Sequence, residues 1–373
     1  MENNALPDNI KKEVERVLGA TIMSAESVSK IYGSDAHSFR IVAKSGKGTA
    51  SYFLKREQTS RATRETDGTR FLESLLPVPR IIATGADTPA HSWLLFDNVE
   101  GDLMAEKYLA IKNQRDFDSF CDIEKEKERL LAALYAQPGI KLEYAAYTAL
   151  PANELFGKRL TENRYADFFG DQKESVSKYF DRRIEINGHE FPATISEIFN
   201  SIRAKYAAPQ NQKVVLALKG HGDAHHGNII ANGKIDFIDN EYAGYIPPLM
   251  ELAKSYYNDF LGVFFFHYHE TLHSHFNMRG FEDSGTKLRF KIEAPQKLSW
   301  PLELTRIKLA SRSKWVAKDT DDFISMNDYL ILCHALTKNP NKYPQETKFL
   351  FLAFLEIIAQ FDAHDPESIY RYF

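Results

Sequence analysis

The sequence predicts an α+β fold in two parts, antiparallel strands up to about Val99 and helices beyond it. Three features carry that expectation. From Ala25 to Val99, short apolar runs alternate with polar residues and are cut by glycine and proline turns, the period-two texture of strands. Beyond Asp102 the apolar residues recur at helical spacing instead. Within that helical part, Gly220–Glu241 stands out as a polar loop followed by a hairpin signal, Asn232-Gly233. Residues 1–99 are thus expected to form one part and 100–373 the other.

A chain of 373 residues has ample material for both cores. With 47 basic and 51 acidic residues the formal charge is −4, without the basic excess of a general nucleic-acid binder. Cys121 and Cys333 are too few and too far apart for a disulfide framework or a cysteine metal site, which suits a reducing cytoplasm. The start, MENNALPDNIKKEVERVL, has no apolar signal core. The longest apolar runs, Phe260–Phe266 and Phe349–Phe354, fall short of the roughly 20 residues that span a bilayer, so no membrane span is expected.

Taken in order, residues 8–19 read as a helix with Ile10, Val14, Val17 and Leu18 on one face. Strands are expected at Ser27–Tyr32, Ser38–Ala43 and Ala50–Lys55, with a polar corner at Gly33-Ser34-Asp35 between the first two. A helix should begin near Ser60 and bury Leu72, Leu75 and Leu76. Glu65, seven residues before Leu72, shares that face, and Gly68 lowers the helix's regularity. Pro77-Val78-Pro79 ends it and opens strands at Arg80–Thr84 and Trp93–Val99. Between Asp102 and Arg129 lie eight acids and six bases, a solvated face; Leu130–Tyr135 is apolar at helical spacing. Residues 150–208 are helical and aromatic-rich, with a loop or short hairpin at Asn187-Gly188, and helices are expected at 301–318, 321–337 and 344–362.

The chemistry concentrates in GHGDAHHGNIIANGKIDFIDNE, Gly220–Glu241. Val214–Leu218 leads in as a buried strand. Asp223 and Asn228 are five apart in a glycine-rich loop, then Ile229–Ala231 and Lys234–Asp239 form a hairpin that returns Asp239 towards them. Two carboxylates and an amide on one rim can hold a divalent cation and orient a hydroxyl, the needs of phosphoryl transfer. Asp236 competes with Asp239 for the metal role. His221 and His225 read as residues that pack and hydrogen-bond the loop.

HGDAHHGN followed by IDNEYAG resembles the catalytic and metal loops of the aminoglycoside phosphotransferase and choline kinase family, which shares the protein-kinase fold. The resemblance implies a bilobal protein-kinase-like fold, with a small antiparallel-sheet nucleotide-binding lobe and a large helical catalytic and acceptor-binding lobe. It implies transfer of the γ-phosphoryl group of ATP, or GTP, to a hydroxyl of a small-molecule acceptor such as an aminoglycoside, a sugar or an amino alcohol. In that family pattern Asp223 orients the acceptor hydroxyl and takes its proton, and Asn228 and Asp239 hold Mg2+. Lys55 holds the α/β-phosphates and pairs with Glu65, or with Glu73 as second choice; Glu57 lies too early for this role. Gly33 and Ser34 cover the phosphates, and Phe96, Asp97 and Val99 form the hinge that binds the base. Glu251 stands where the family usually carries an aspartate that buttresses the loop, one methylene longer. Gly222 replaces the arginine of regulated protein kinases, which implies a constitutively arranged loop. EYAGY leans towards the choline kinases, HGD away from them. The residues name neither the acceptor nor an oligomeric state.

Two other readings belong to different classes. A nucleotide-binding module without transfer activity would keep the same lobe. A zinc hydrolase would rest on His269-Glu270-Thr271-Leu272-His273, an HExxH string with Glu293 as a distant third ligand. That string sits in the histidine- and aromatic-rich run FFFHYHETLHSHF, where composition alone can produce it, and Phe276 stands where the extended zinc motif needs glycine.

Overall fold

The computed structural model describes residues 5–28, 37–170, 175–207, 214–262, 276–294, 299–316 and 324–373. The chain divides into two compact units, residues 1–106 with 221–244 and residues 107–220 with 245–373. The expected boundary at 99 thus falls at 106, and the stretch carrying Asp223, Asn228 and Asp239 groups with the first unit.

In the first unit, helix α1 (Asp8–Leu18) buries Ile10 and Val14 and stops at Gly19, whose φ of 57° closes the helix in the left-handed region. Five strands follow the order β1-β2-β3-β5-β4 in an antiparallel sheet: β1 (Thr21–Ser27), β2 (His37–Ser45), β3 (Gly48–Gln58), β4 (Ile81–Thr88) and β5 (His91–Asp97). The first strand occupies Thr21–Ser27, just after Gly19; of the expected strand Ser27–Tyr32, residues 29–32 lie outside the described residues.

Strand periodicity then sorts side chains to two faces. Leu54, Trp93 and Leu95 join Phe39 and Ile41 against Ile10 and Val14 of α1. Phe53, Leu94 and Phe96 turn the other way and pack with Ala62 of helix α2 (Thr59–Leu72). Lys55 has the parity of Phe53, so it is delivered to the α2 face.

The later segment joins this unit through a small sheet. Strand β6 (Asp102–Leu103) pairs with β11 (Ile229–Ala231), which pairs with β12 (Ile235–Phe237). The register Ala231↔Ile235 leaves three residues in the turn, not the two expected from Asn232-Gly233. Gly233 takes the positive φ, 67°, while Asn232 does not, so the three-residue hairpin with its left-handed glycine wins over the two-residue turn.

In the second unit α3 (Gln114–Tyr135) is capped by Asn113, whose side chain accepts the Asp116 N–H. Strand β7 (Ile140–Glu143) pairs with β10 (Val214–Gly220). A four-stranded sheet combines β8 (Arg183–Ile186), β9 (His189–Glu190), β13 (Asn277–Asp283) and β14 (Lys287–Glu293) in the order β13-β14-β8-β9. The β8–β9 turn is Asn187-Gly188, both at positive φ, as a tight two-residue hairpin requires. The helices α4 (Ile195–Ala207), α5 (Pro248–Tyr256), α6 (Ser299–Val316), α7 (Met326–Thr337) and α8 (Gln345–Gln360) complete it. Between α3 and α6 runs a fully buried charge network in which Arg312 grips Glu128 with two bonds of 2.7 Å and Lys308 reaches Glu124 and Asp259. No helix among the described residues is long and apolar enough to cross a membrane.

Candidate active site

Lys55 is the centre of the first unit's polar core. Its ammonium lies 2.6 Å from Asp239 Oδ1, 2.9 Å from Glu65 Oε2 and 3.3 Å from Glu57 Oε2. Lys55, Glu57 and Glu65 are each at most 5 % exposed, so the charges are forced to satisfy one another. The expected Lys55–Glu65 pair is present. Glu57 is a correction: two residues beyond Lys55 on the same strand, it points the same way and reaches the ammonium that it was expected to miss. Glu73, the second choice, sits exposed at the end of α2.

The electrostatics follow from one cation among three acids. Burial works against the Lys55 charge, but Asp239, Glu65 and Glu57 outweigh it and hold the ammonium well above its usual range. Burial pushes the Glu65 carboxyl up to about 7, against the pull of Lys55. Glu57 is raised for the same reason, with Asp239 and Glu241 adding repulsion.

Asp239 reaches Lys55 from the segment after β12. Its φ is 63°, the left-handed region that non-glycine residues seldom occupy, and its side chain stays 27 % accessible. Asp236, the alternative, lies within β12 opposite Ile230, and its carboxylate is 3.0 Å from Lys234. The two acids are thus engaged with different lysines.

The loop before the hairpin is fastened from inside. His221 is fully buried, its Nδ1 accepting the Asp223 N–H at 3.3 Å and its Nε2 donating to Ile238 O at 3.2 Å. His225 Nδ1 accepts the Gly227 N–H at 3.0 Å, and its Nε2 lies 3.7 Å from Asp223 Oδ1. Asn228 Nδ2 donates to Asp223 O at 3.0 Å, which turns the amide oxygen the other way. Gly222 adopts φ 85°, and a Cβ there would stand 2.5 Å from Tyr242 O, so the loop has no room for the arginine of regulated kinases.

At the end of β5, Phe96 is buried, and Asp97 donates its N–H to Arg80 O at 3.0 Å while its carboxylate accepts from Arg80 Nε at 2.9 Å. Val99 is half-buried just past the ladder. Gly33 and Ser34 fall outside the described residues, as does the HExxH string. In the second unit Glu251, in the buttress position, accepts from Tyr135 Oη at 3.2 Å and lies against Gly220.

Sequence reading missed a second layer on α2. Arg61 grips Glu241 at 3.0 and 2.7 Å, Glu65 Oε1 accepts the Asn240 N–H at 3.1 Å, and Asn240 Nδ2 donates to Thr69 Oγ1 at 3.1 Å. Arg61 is held above its usual range chiefly by that bond to Glu241. The available signal was the helical spacing of 61, 65, 68 and 69.

The family model described as the phosphotransferase enzyme family matches residues 31–275, well over half the chain. The chain belongs to that family. No curated protein matches it. Among solved structures, a thermostable mutant of aminoglycoside phosphotransferase APH(4)-Ia in ternary complex with ADP and hygromycin B is 10 % identical, with 98 % of each chain covered and a TM-score of 0.53. The apo form of such a mutant is 12 % identical, with 97 % of this chain and 98 % of that chain covered, at the same TM-score of 0.53. These likenesses show the fold, a kinase-like one with an antiparallel-sheet N-terminal region and a helical C-terminal part. In this phosphotransferase family member the fold puts Lys55, Glu65 and Asp239 on one another and keeps Asp223 and Asn228 on the adjoining loop.

Proposed function

We propose that this phosphotransferase moves the γ-phosphoryl group of ATP or GTP to a hydroxyl of a small molecule such as an aminoglycoside, a sugar or an amino alcohol. The observation that carries this reading is the Lys55–Glu65–Asp239 contact, which joins a strand, a helix and the segment after the hairpin at one buried point. The APH(4)-Ia structure that shares the fold is a ternary complex with ADP and hygromycin B, which supports a nucleotide and a small-molecule acceptor here.

In this reading Lys55 binds the α/β-phosphates, with Glu65 and Glu57 holding its ammonium in place. Phe96, Asp97 and Val99 flank the base, and Gly33 and Ser34 cover the phosphates. Asp223 accepts a hydrogen bond from the acceptor hydroxyl and orients it. As the bond from acceptor oxygen to γ-phosphorus forms, the bond from that phosphorus to the β–γ bridging oxygen breaks. The hydroxyl proton passes to Asp223 and the nucleoside diphosphate leaves. Asn228 and Asp239 are hard oxygen donors that suit Mg2+, a cation that keeps water and phosphate among its ligands. Mg2+, when bound, neutralises phosphate charge. Asp236 is the poorer ligand of the two acids, because its side chain is 8 % accessible within β12 whereas that of Asp239 is 27 % accessible.

The test is nucleotide consumption across a panel of amino sugars, sugars and amino alcohols, with Asp223→Asn as control. Diphosphate should form with a matching acceptor and fall by about 10²–10⁴-fold in the variant, with nucleotide affinity retained. Unchanged turnover in the variant would remove Asp223 from its role. Nucleotide binding with no product on any acceptor would make the protein a silent nucleotide-binding relative.

A further inference from the structure

One face of α2 is given over to the segment that follows the hairpin. Positions 61, 65, 68 and 69 follow the i, i+4, i+7, i+8 spacing of a single helical stripe, and each touches a residue between 239 and 243. Arg61 forks onto Glu241 with bonds of 3.0 and 2.7 Å, and Arg64 Nη2 adds a contact at 3.5 Å. Glu65 divides its two oxygens between Lys55 and the Asn240 N–H. Gly68 lies under the Asn240 carbonyl, and Thr69 accepts from the Asn240 side chain. Glu241 is 4 % exposed, whereas the Arg61 side chain is 30 % exposed, so the guanidinium closes the stripe at its solvent end.

We propose that Arg61 and Glu241 are positioning residues whose fork locks α2 onto residues 239–243, so that Glu65 and Asp239 meet Lys55 in the resting protein. The Lys55–Glu65–Asp239 part of the nucleotide site is then held together by the chain's own contacts. The nucleotide part of this inference rests on the phosphotransferase reading above. The helix lock itself rests only on the contacts. A planar, bidentate pair has the geometry for this task, since two parallel bonds fix orientation as well as distance.

The test uses the full chain with Arg61→Ala, Arg61→Lys, Glu241→Gln (which weakens both guanidinium contacts), the double Arg61→Ala/Glu241→Gln, and the swap Arg61→Glu/Glu241→Arg. Two readouts are taken: amide hydrogen exchange over residues 59–72 without nucleotide, and the nucleotide KM and kcat. The Arg61→Ala and Glu241→Gln singles should speed exchange in α2 and raise the nucleotide KM by about tenfold, with a smaller fall in kcat. The double should be no worse than Glu241→Gln alone, which already loses both the Arg61 fork and the Arg64 contact, and the swap and Arg61→Lys should each recover part of the loss. Unchanged exchange in the singles, or additive effects in the double, overturns the proposal. If α2 exchange responds as described but no acceptor is ever phosphorylated, the lock stands and the transfer reading fails. If transfer is intact while exchange and KM ignore both singles, the reading stands and the lock fails.

Discussion

Gly68 of α2 lies directly against the main chain of Asn240: a Cβ built on the glycine would stand 1.9 Å from the Asn240 carbonyl oxygen and 3.2 Å from Ala243 Cβ. A mid-helix glycine ordinarily costs the helix up to about 1 kcal/mol relative to alanine. Here the absent side chain is what lets Glu65 and Thr69, on either side of it, reach Asn240.

Gly68→Ala should therefore run against helix propensity. Backbone cannot swing aside as a flexible side chain can, so the helix and the 239–243 segment must separate. The expected cost is about 1–3 kcal/mol of stability, the usual price of overpacking, with loss of nucleotide affinity alongside. Chemical denaturation of the variant checks this. A denaturant midpoint equal to or above that of the parent would show that the two segments are not held together as described.

Lys55→Met removes the ammonium that buried Glu57 and Glu65 share with Asp239. Two effects should separate in measurement. Nucleotide-dependent turnover should fall by at least about 10²-fold, since the phosphate contact goes. Stability should fall by about 3–5 kcal/mol, as for other buried ion pairs broken on one side. That loss should be larger at pH 8 than at pH 5, because Glu57 and Glu65 are already raised by burial and rise further without Lys55. Equal destabilisation at both pH values would mean that the acids are not competing for that lysine.

Helix periodicity made Glu65 legible by putting it on the inward face. Lys55, Asp223, Asn228 and Asp239 were legible through the resemblance of their motifs and strand order to the family pattern, and strand parity agrees by aiming Lys55 at α2. The parts that were not legible depend on approach between distant segments. Arg61 and Glu241 are 180 positions apart, and nothing in either neighbourhood marks the other. Gly68 looked like a weakness because helix propensity is a local quantity and the Asn240 carbonyl is not. Glu57 was set aside by ranking it against helix positions, although in a strand the second neighbour shares a face. The same limit applies to the fold: the α+β division was visible, whereas the hairpin of β13 and β14, whose second strand finds β8 about a hundred residues away, was not.

Glu356 supplies a prediction with the opposite pH sense to most acids. It is fully buried in α8, and neither carboxylate oxygen has a hydrogen-bond partner among the described residues. Burial pushes its pKa from 4.5 up to about 8, with Arg183 pulling weakly the other way. A raised carboxyl pKa means that the folded state keeps its proton while the unfolded chain gives it up. Stability is therefore full below pH 4.5 and is lost as pH rises towards 8. Glu356→Gln keeps the shape without the titration. It should be more stable than the parent at pH 8 by up to roughly 4 kcal/mol and nearly equal to it at pH 4. Parallel stability–pH curves for the two proteins would refute this.

His334 works in the other direction. It is fully buried in α7, where its Nε2–H donates to Phe351 O at 3.1 Å and its Nδ1 accepts from Tyr257 Oη at 3.0 Å, so both ring nitrogens are used in the neutral form. Burial lowers its pKa from 6.5 to about 3. The unfolded chain then binds a proton that the native state refuses, so stability is full above pH 6.5 and falls as pH drops towards 3. One such proton corresponds to roughly 1.4 kcal/mol per pH unit across that window. His334→Gln can keep a donor and an acceptor in the same place but cannot take up the proton. Its stability should start somewhat lower at pH 7, through lost ring packing against Phe351, and decline less steeply between pH 6.5 and 4. Equilibrium denaturation at half-unit intervals measures that slope, and an identical slope in the variant would show that the acid sensitivity arises elsewhere.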